Sequence, residues 1–229
     1  AIPLIDLRAQ YHAIKAEIDA AITAVLERGQ FVLGPEVEAF EREMAAYCKT
    51  RDAIGVASGT DALELALRAC GIGPGDEVLT TAFSFFATVE AIVAVGARPV
   101  FVDIEPATYT LDVAEIEQKL TSHTKAVIPV HLYGHPCAMD RLMDIARAHR
   151  LKVIEDCAQA IGADIGGRRV GGFGDAGCLS FYPTKNLAGY GDAGMVVTND
   201  EAMAERIRLL RVHGSRRRYV HEIAGTNSR

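Results

Sequence analysis

Three short stretches carry residues able to do chemistry, and each follows an apolar run. Ser58-Gly59-Thr60-Asp61 offers hydroxyls, a glycine that lets a ligand approach the backbone, and the opening of a helix. Unpaired first-turn N–H groups make such an opening a phosphate cradle; the plainer reading is a helix capped by Ser58 or Thr60. Glu155-Asp156-Cys157-Ala158-Gln159 ends the run Leu151-Lys152-Val153-Ile154. A carboxylate at the buried end of a strand needs a partner, which is either a helix N-terminus or a ligand cation. Leu179-Ser180-Phe181-Tyr182-Pro183-Thr184-Lys185-Asn186 sets an amine just past a third run, with a Pro bend before it. Most lysines sit at the surface. A partly buried one has a lowered pKa and can act as an amine nucleophile.

Three weaker signals are set aside. Gly172-Phe173-Gly174-Asp175-Ala176-Gly177 matches GxGxxG but precedes a run, whereas a dinucleotide site needs strand, glycines, then helix. His131 and His135 lie in a loop with Gly134 and Pro136 and have no evident third ligand, so no metal site is expected. Arg216, Arg217 and Arg218 form the only dense charge cluster; solvent or the phosphates of a small ligand would suit it.

These stretches need a scaffold, and the periodicity supplies one. Short β-rich runs at 53–57, 77–81, 99–103, 125–131, 152–156, 177–181 and 194–198 alternate with helical stretches at 61–70, 87–95, 114–120, 139–149 and 201–212. Two further helices, 11–28 and 36–48, precede them; the first carries Ile14, Ile18, Ile22, Val25 and Leu26 on one stripe and stops at Gly29. Continuous apolar runs suit strands buried on both faces. Strand-then-helix repetition implies an α/β layer architecture with a mostly parallel sheet, whose ligands bind beyond the carboxyl ends of the strands. All three stretches fall there.

Composition removes several function classes. The chain has 229 residues, 49% hydrophobic and 24% charged, with net charge −6 and pI near 5.7. Disorder and fibrous repeats do not fit these fractions. An acidic chain is a poor nucleic-acid or anionic-membrane binder, and no run reaches the roughly 18 to 20 apolar residues that span a bilayer. Five cysteines without CxxC fit scattered reduced thiols in the cytoplasm. No secretory signal is visible at the N-terminus, and processing would account for the missing initiator Met.

A phosphate cradle, a carboxylate for a pyridinium nitrogen and a Schiff-base lysine are together the parts that pyridoxal phosphate needs. The motifs SGTDAL (58–63), EDCAQ (155–159), SFYPTKNL (180–187) and YGDAG (190–194) resemble those of the DegT/StrS-type nucleotide-sugar aminotransferases of fold type I. GQFVLGPEV (29–37) and HGSRRRY (213–219) also fit, and the likeness runs from IPLIDL near the start to GTNSR at the end. It implies an N-terminal helical arm, 1–50, and a large cofactor-binding α/β domain, 51–229, with a seven-stranded, mostly parallel sheet between helices.

Carried over by position, Lys185 matches the lysine that bonds to pyridoxal 5'-phosphate, and Asp156 the carboxylate on its pyridine nitrogen. Gln159 matches the side chain near the phenolic oxygen; Gly59, Thr60 and Ser180 match phosphate contacts. Phe85 occupies the place of an aromatic that stacks on the ring, a role compatible with core packing. Asn227 matches an asparagine lent to the neighbouring subunit, which implies a homodimer with shared sites. Tyr182 and Arg229 are the substrate candidates, Arg229 because guanidinium grips a carboxylate bidentately.

The reaction implied is ping-pong transfer of an amino group from glutamate to a keto group of a nucleotide sugar. YGDAG, HGSRRRY and GTNSR are most like enzymes that aminate UDP-linked 3-keto-hexuronic acids for surface polysaccharides such as O-antigen. Amination of a dTDP-3-keto- or 4-keto-6-deoxy sugar is the near rival. A same-fold dehydratase would carry His in place of Lys185, and a non-catalytic cofactor-binding regulator would show no half-reaction. The family normally continues past the NSR motif into a smaller C-terminal domain, so a missing domain is expected beyond Arg229, and the arm helix would lose its packing partner.

Overall fold

A computed structural model describes residues 4–217 and 219–229. Ile2 and Pro3 of the N-terminal motif and Arg218 of the arginine cluster lie outside the described residues.

Helix α1 (Leu7–Arg28) begins four residues before the predicted start because the Asp6 side chain accepts the N–H groups of Arg8 and Ala9. It ends at Gly29 in the left-handed region, φ 69°. None of its residues is buried, and Ile14, Ile22 and Leu26 are exposed. Helix α2 (Pro35–Cys48) starts on a proline, whose missing N–H costs nothing in a first turn, and sends Met44 and Cys48 into the core.

The body follows as β1 (Asp52–Val56), α3 (Gly59–Ala69), β2 (Glu77–Thr81), α4 (Ala87–Ala94), β3 (Arg98–Val102), α5 (Ile116–Lys119), β4 (Thr124–Val127), α6 (Met139–His149) and β5 (Lys152–Asp156). A small hairpin of β6 (Asp164–Ile165) and β7 (Arg168–Arg169) precedes β8 (Ala176–Ser180), β9 (Gly194–Thr198) and α7 (Glu201–Leu210). A second hairpin, β10 (Ser215–Arg217) with β11 (Val220–His221), follows.

Seven strands form one sheet in the order β1-β9-β8-β5-β4-β2-β3. All neighbours are parallel except those of β9, which runs antiparallel to both β1 and β8. The mostly parallel seven-stranded expectation holds. Two predicted elements differ. The run 125–131 is regular strand only to Val127, because Pro129 has no N–H for the ladder; the chain nevertheless stays against its neighbours, with Ile128 N–H donating to the Leu79 carbonyl, the Pro129 carbonyl accepting from Asp156 N–H and Val130 bridging Asp156. The stretch 114–120 is a 3₁₀ turn (Val113–Glu115) leading into the single turn of α5.

Helices cover both faces. One cluster packs Leu65 of α3, Ile92 of α4 and Ile207 of α7 on Ile54, Ile128, Ile154 and Val196. The opposite face is covered at one end by Met139 and Leu142 of α6 on Val127 and Val153, and at the other by α2 on Ala53, Leu179 and Val197. Consecutive side chains of a strand point to opposite faces. Val153 and Glu155 of β5 therefore face the α6 side, while Ile154 and Asp156 face α3.

Candidate active site

At the carboxyl ends of β1, β5 and β8 lies a cavity of about 500 Å³. It collects most of the predicted set: Gly59, Thr60, Phe85, Asp156, Gln159, Ser180, Tyr182 and Lys185 all line it. Three separate strand ends, up to 124 residues apart in sequence, thus converge on one space.

The α3 opening is built for close approach. Ser58 Oγ accepts the Asp61 N–H at 3.0 Å and donates to the Asp61 carboxylate at 3.0 Å. The Ser58 cap thereby serves Asp61, and Gly59 and Thr60, whose first-turn N–H groups have no carbonyl one turn back, line the cavity. Gly59 is buried against the end of β8, and a Cβ there would lie 2.7 Å from the Ser180 Cβ. Only glycine lets the two phosphate-type contacts sit side by side. Ser58 proves to be both the cap and a cavity residue, so the plain and the functional readings of this motif coexist.

Asp156 is 5% exposed. Burial pushes its carboxyl above the usual carboxylate range, opposed by the Ala158 N–H on Oδ1 (3.1 Å) and the Thr88 hydroxyl on Oδ2 (2.8 Å). Lys185 is half-buried in the loop after β8, its N–H bonded to the Tyr182 carbonyl at 2.8 Å, and its charge acts on Asp156. The Lys185 amine makes no hydrogen bond or ion pair among the described residues and borders the cavity.

Gln159 is oriented without ambiguity. The Tyr133 N–H donates to its Oε1 at 2.9 Å, which identifies the oxygen and leaves the NH₂ as the free end. Phe85 lines the cavity but is 71% exposed. Of the two compatible readings, core packing does not hold: the ring stands open just before α4, at the cavity. Tyr182 is 50% exposed at the rim.

Asn227 and Arg229 lie elsewhere. Both are exposed, while Ser228 between them is buried and pins the segment, accepting the Ala57 N–H at 3.1 Å. Arg216 is held by Glu205 and Glu222, so its charge is spent locally rather than on a ligand phosphate.

Sequence reasoning missed two features. Thr88 reads as an ordinary β-branched helix residue, yet its hydroxyl is the closest partner of Asp156. Glu155 reads as a second candidate acid, yet it is sealed inside the other face of the sheet. Its Oε1 accepts N–H groups from Phe173 (2.8 Å) and Gly174 (2.7 Å), and its Oε2 accepts from Gly171 (2.8 Å) and His131 Nε2 (3.0 Å). The glycine run set aside as a coincidental motif is the cradle of this carboxylate. His131 Nδ1 accepts the Cys137 N–H at 3.0 Å, which assigns the proton to Nε2. His131, Glu155 and Cys157 place ligand-type atoms within 4.8 Å of one another, but these N–H groups already occupy the lone pairs a metal would use. His135 is exposed and stands apart in environment. All five thiols are free, and burial pushes Cys48 up to about 11 and Cys70 up to about 12.

The residues fit pyridoxal phosphate: a buried carboxyl at the cavity suits a pyridinium, the glycine-floored helix opening suits a phosphate, and an amine borders the same space. The chain is 52% identical over 228 residues to the dTDP-3-amino-3,4,6-trideoxy-alpha-D-glucose transaminase of Streptomyces venezuelae, covering 100% of this chain and 60% of that protein. It is 46% identical over 228 residues to the UDP-2-acetamido-2-deoxy-3-oxo-D-glucuronate aminotransferase of Pseudomonas aeruginosa, covering 100% and 64%. The crystal structure of NtdA from Bacillus subtilis with bound cofactor PMP superposes with a TM-score of 0.94 at 37% identity, covering 100% of this chain and 52% of that one. The chain thus spans roughly three fifths of the curated relatives it matches. The family description matches residues 12–229, and the chain belongs to the DegT/DnrJ/EryC1/StrS aminotransferase family.

Proposed function

We propose that the protein containing this chain transfers an amino group from glutamate to a 3-keto group on a nucleotide-linked sugar, using pyridoxal 5'-phosphate. The observation that carries this reading is the convergence of Lys185, Asp156 and the α3 opening on one cavity. When bound, the cofactor supplies an electron sink for the carbon that loses its proton. Gly59, Thr60 and Ser180 would bind its phosphate, Asp156 would accept the ring N–H, and the Gln159 NH₂ would serve the phenolic oxygen. The open face of Phe85 would stack on the ring. Lys185 Nζ would hold the cofactor until the glutamate amine displaces it, and the amine so freed would take the proton from the glutamate α-carbon as base and return it as acid.

The sugar proposed is a UDP-2-acetamido-2-deoxy-3-keto-hexuronic acid, supported by the YGDAG and GTNSR likeness and by the Pseudomonas relative. The Streptomyces relative supports the second reading, a dTDP-3-keto-6-deoxy sugar. The Streptomyces relative's name carries a 3-amino group and the Pseudomonas relative's a 3-oxo group, which supports C3 as the reacting position. A second copy of the chain would bring Asn227, exposed and outside its own cavity, to the neighbouring phosphate site. Cytoplasmic placement follows from the nucleotide-sugar substrate; no described helix is long and apolar enough to cross a membrane.

Absorbance tests the reading. The purified protein should show a cofactor band near about 400 nm that falls on addition of glutamate, with release of 2-oxoglutarate, and returns with the right keto sugar. A band untouched by glutamate would point to a non-catalytic binder, and no band would sink the assignment. Parallel assays of the UDP-uronate and the dTDP-6-deoxy sugar decide between the two substrates.

A further inference from the structure

We propose that Thr88, backed by Ser84, is the positioning residue that holds the Asp156 carboxylate aimed and charged toward the ring nitrogen of the bound cofactor. The inference rests on the cofactor reading above. Thr88 is 1% exposed at the start of α4, and its Oγ1 donates to Asp156 Oδ2 at 2.8 Å. Ser84 Oγ lies 2.9 Å from Thr88 Oγ1. A hydroxyl has one proton; Thr88 gives its own to the carboxylate, so Ser84 supplies the proton of the second bond. The chain runs in one direction, Ser84 to Thr88 to Asp156, and a donor that itself accepts is a better donor.

The arrangement divides the carboxylate. Oδ1 takes the Ala158 N–H and Oδ2 takes the Thr88 hydroxyl, so each oxygen keeps a lone pair free and the side chain cannot rotate without losing both bonds. A carboxylate this buried is costly as an anion unless donors hold it. The two donors come from different elements: Ala158 is fixed by the turn after β5, whereas Thr88 is brought by α4, across 68 residues of sequence. Without the hydroxyl, Asp156 would be held on one side only, in a site whose burial favours the neutral acid. A neutral acid offers the ring nitrogen no charge, and the ring would lose its proton and part of its grip.

The test uses the full-length protein and three variants, Thr88→Val, Thr88→Ser and Ser84→Ala. Equilibrium dialysis at pH 8 gives the affinity of the cofactor-free protein for pyridoxal phosphate, and the NMR shift of ¹⁵N-labelled cofactor reports whether the ring nitrogen is protonated. Loss of a hydrogen bond to a charged group predicts that Thr88→Val binds about 10- to 100-fold more weakly, with the ¹⁵N signal moved toward the unprotonated position. Thr88→Ser, which keeps the hydroxyl, should restore both to within about threefold, and Ser84→Ala should shift both in the direction of Val. Wild-type affinity and an unmoved ¹⁵N signal in Thr88→Val, or failure of Thr88→Ser to rescue, overturns the proposal. Should Thr88→Val not fold, an unmoved signal in Ser84→Ala overturns it. Failure of the unmodified protein to bind the cofactor would instead sink the cofactor reading itself.

Discussion

Gly194 lies so close to Ser58 that a side-chain carbon built on it would overlap the Ser58 carbonyl. The first residue of β9 is thereby wedged under the turn that opens the phosphate cradle. Both partners are backbone, and backbone cannot rotate away as a side chain can. Gly194→Ala should cost about 1–3 kcal/mol by overpacking, lowering Tm by about 2–4 °C per kcal/mol for a domain of this size. Pyridoxal phosphate affinity should fall further than stability, because the displaced turn carries Gly59 and Thr60. A variant with unchanged phosphate affinity and Tm would show that the turn is not held by this contact.

Lys185→Ala should abolish covalent capture. After borohydride reduction the unmodified protein should retain the pyridoxyl mass, and the variant should not. Removing the group that moves the proton should lower turnover by at least about 10²- to 10⁴-fold. Cofactor held through the phosphate cradle should survive, weaker but measurable by dialysis. A variant that still turns over at the ordinary rate would contradict the assignment of Nζ.

Asp156 makes stability depend on pH in a direction opposite to most carboxylates. Its pKa is raised from 3.8 by burial, so the folded protein binds that proton more tightly than the unfolded chain. The resulting stability is complete below the unfolded value and is lost as pH rises through the folded one. Binding of a protonated ring reverses this, since the anion then has a cation beside it. The extra stability conferred by cofactor should therefore grow with pH above about 4. Asp156→Asn should erase that growth while leaving the cofactor-free protein at least as stable at neutral pH. Melting curves across pH with and without cofactor check both statements; a cofactor increment independent of pH would count against them.

Glu155 should matter to stability and not to chemistry. Glu155→Ala removes the acceptor of three backbone N–H groups and His131 Nε2 at once. Breaking one side of a buried charged network costs about 3–5 kcal/mol, readable as a lower urea midpoint. Any folded fraction should still show the cofactor band. A loss below about 1 kcal/mol would mean that water replaces the carboxylate.

The strands were legible because burial on both faces writes itself as unbroken apolar runs, and their ends agree within a residue except at Pro129. The direction of β9 was not, since Gly194–Thr198 is as apolar as its parallel neighbours and only pairing distinguishes it. Lys185 and Asp156 could be found from strand ends and a motif likeness. Thr88 could not: its role depends on α4 meeting β5, and nothing local marks a threonine that faces a carboxylate. The glycines at 171–174 misled because their function is to bare N–H groups to a side chain of the same protein rather than to a nucleotide. Phe85 could be placed at the site by motif likeness, but not its exposure, which depends on how the α4 start leaves the ring open.

Glu155 and Asp156 are consecutive acids with opposite fates, one locked in a protein-made nest and the other turned to the cavity. What separates them is parity. A one-residue slip of β5 against β8 would exchange their faces, putting a longer acid over the cavity and leaving the nest with a shorter one that falls short of its donors. The pairing of Ile154 with Ala176 and of Asp156 with Cys178 is therefore a chemical setting as much as a structural one. Mutations that loosen that register should impair cofactor chemistry while every functional residue is still present.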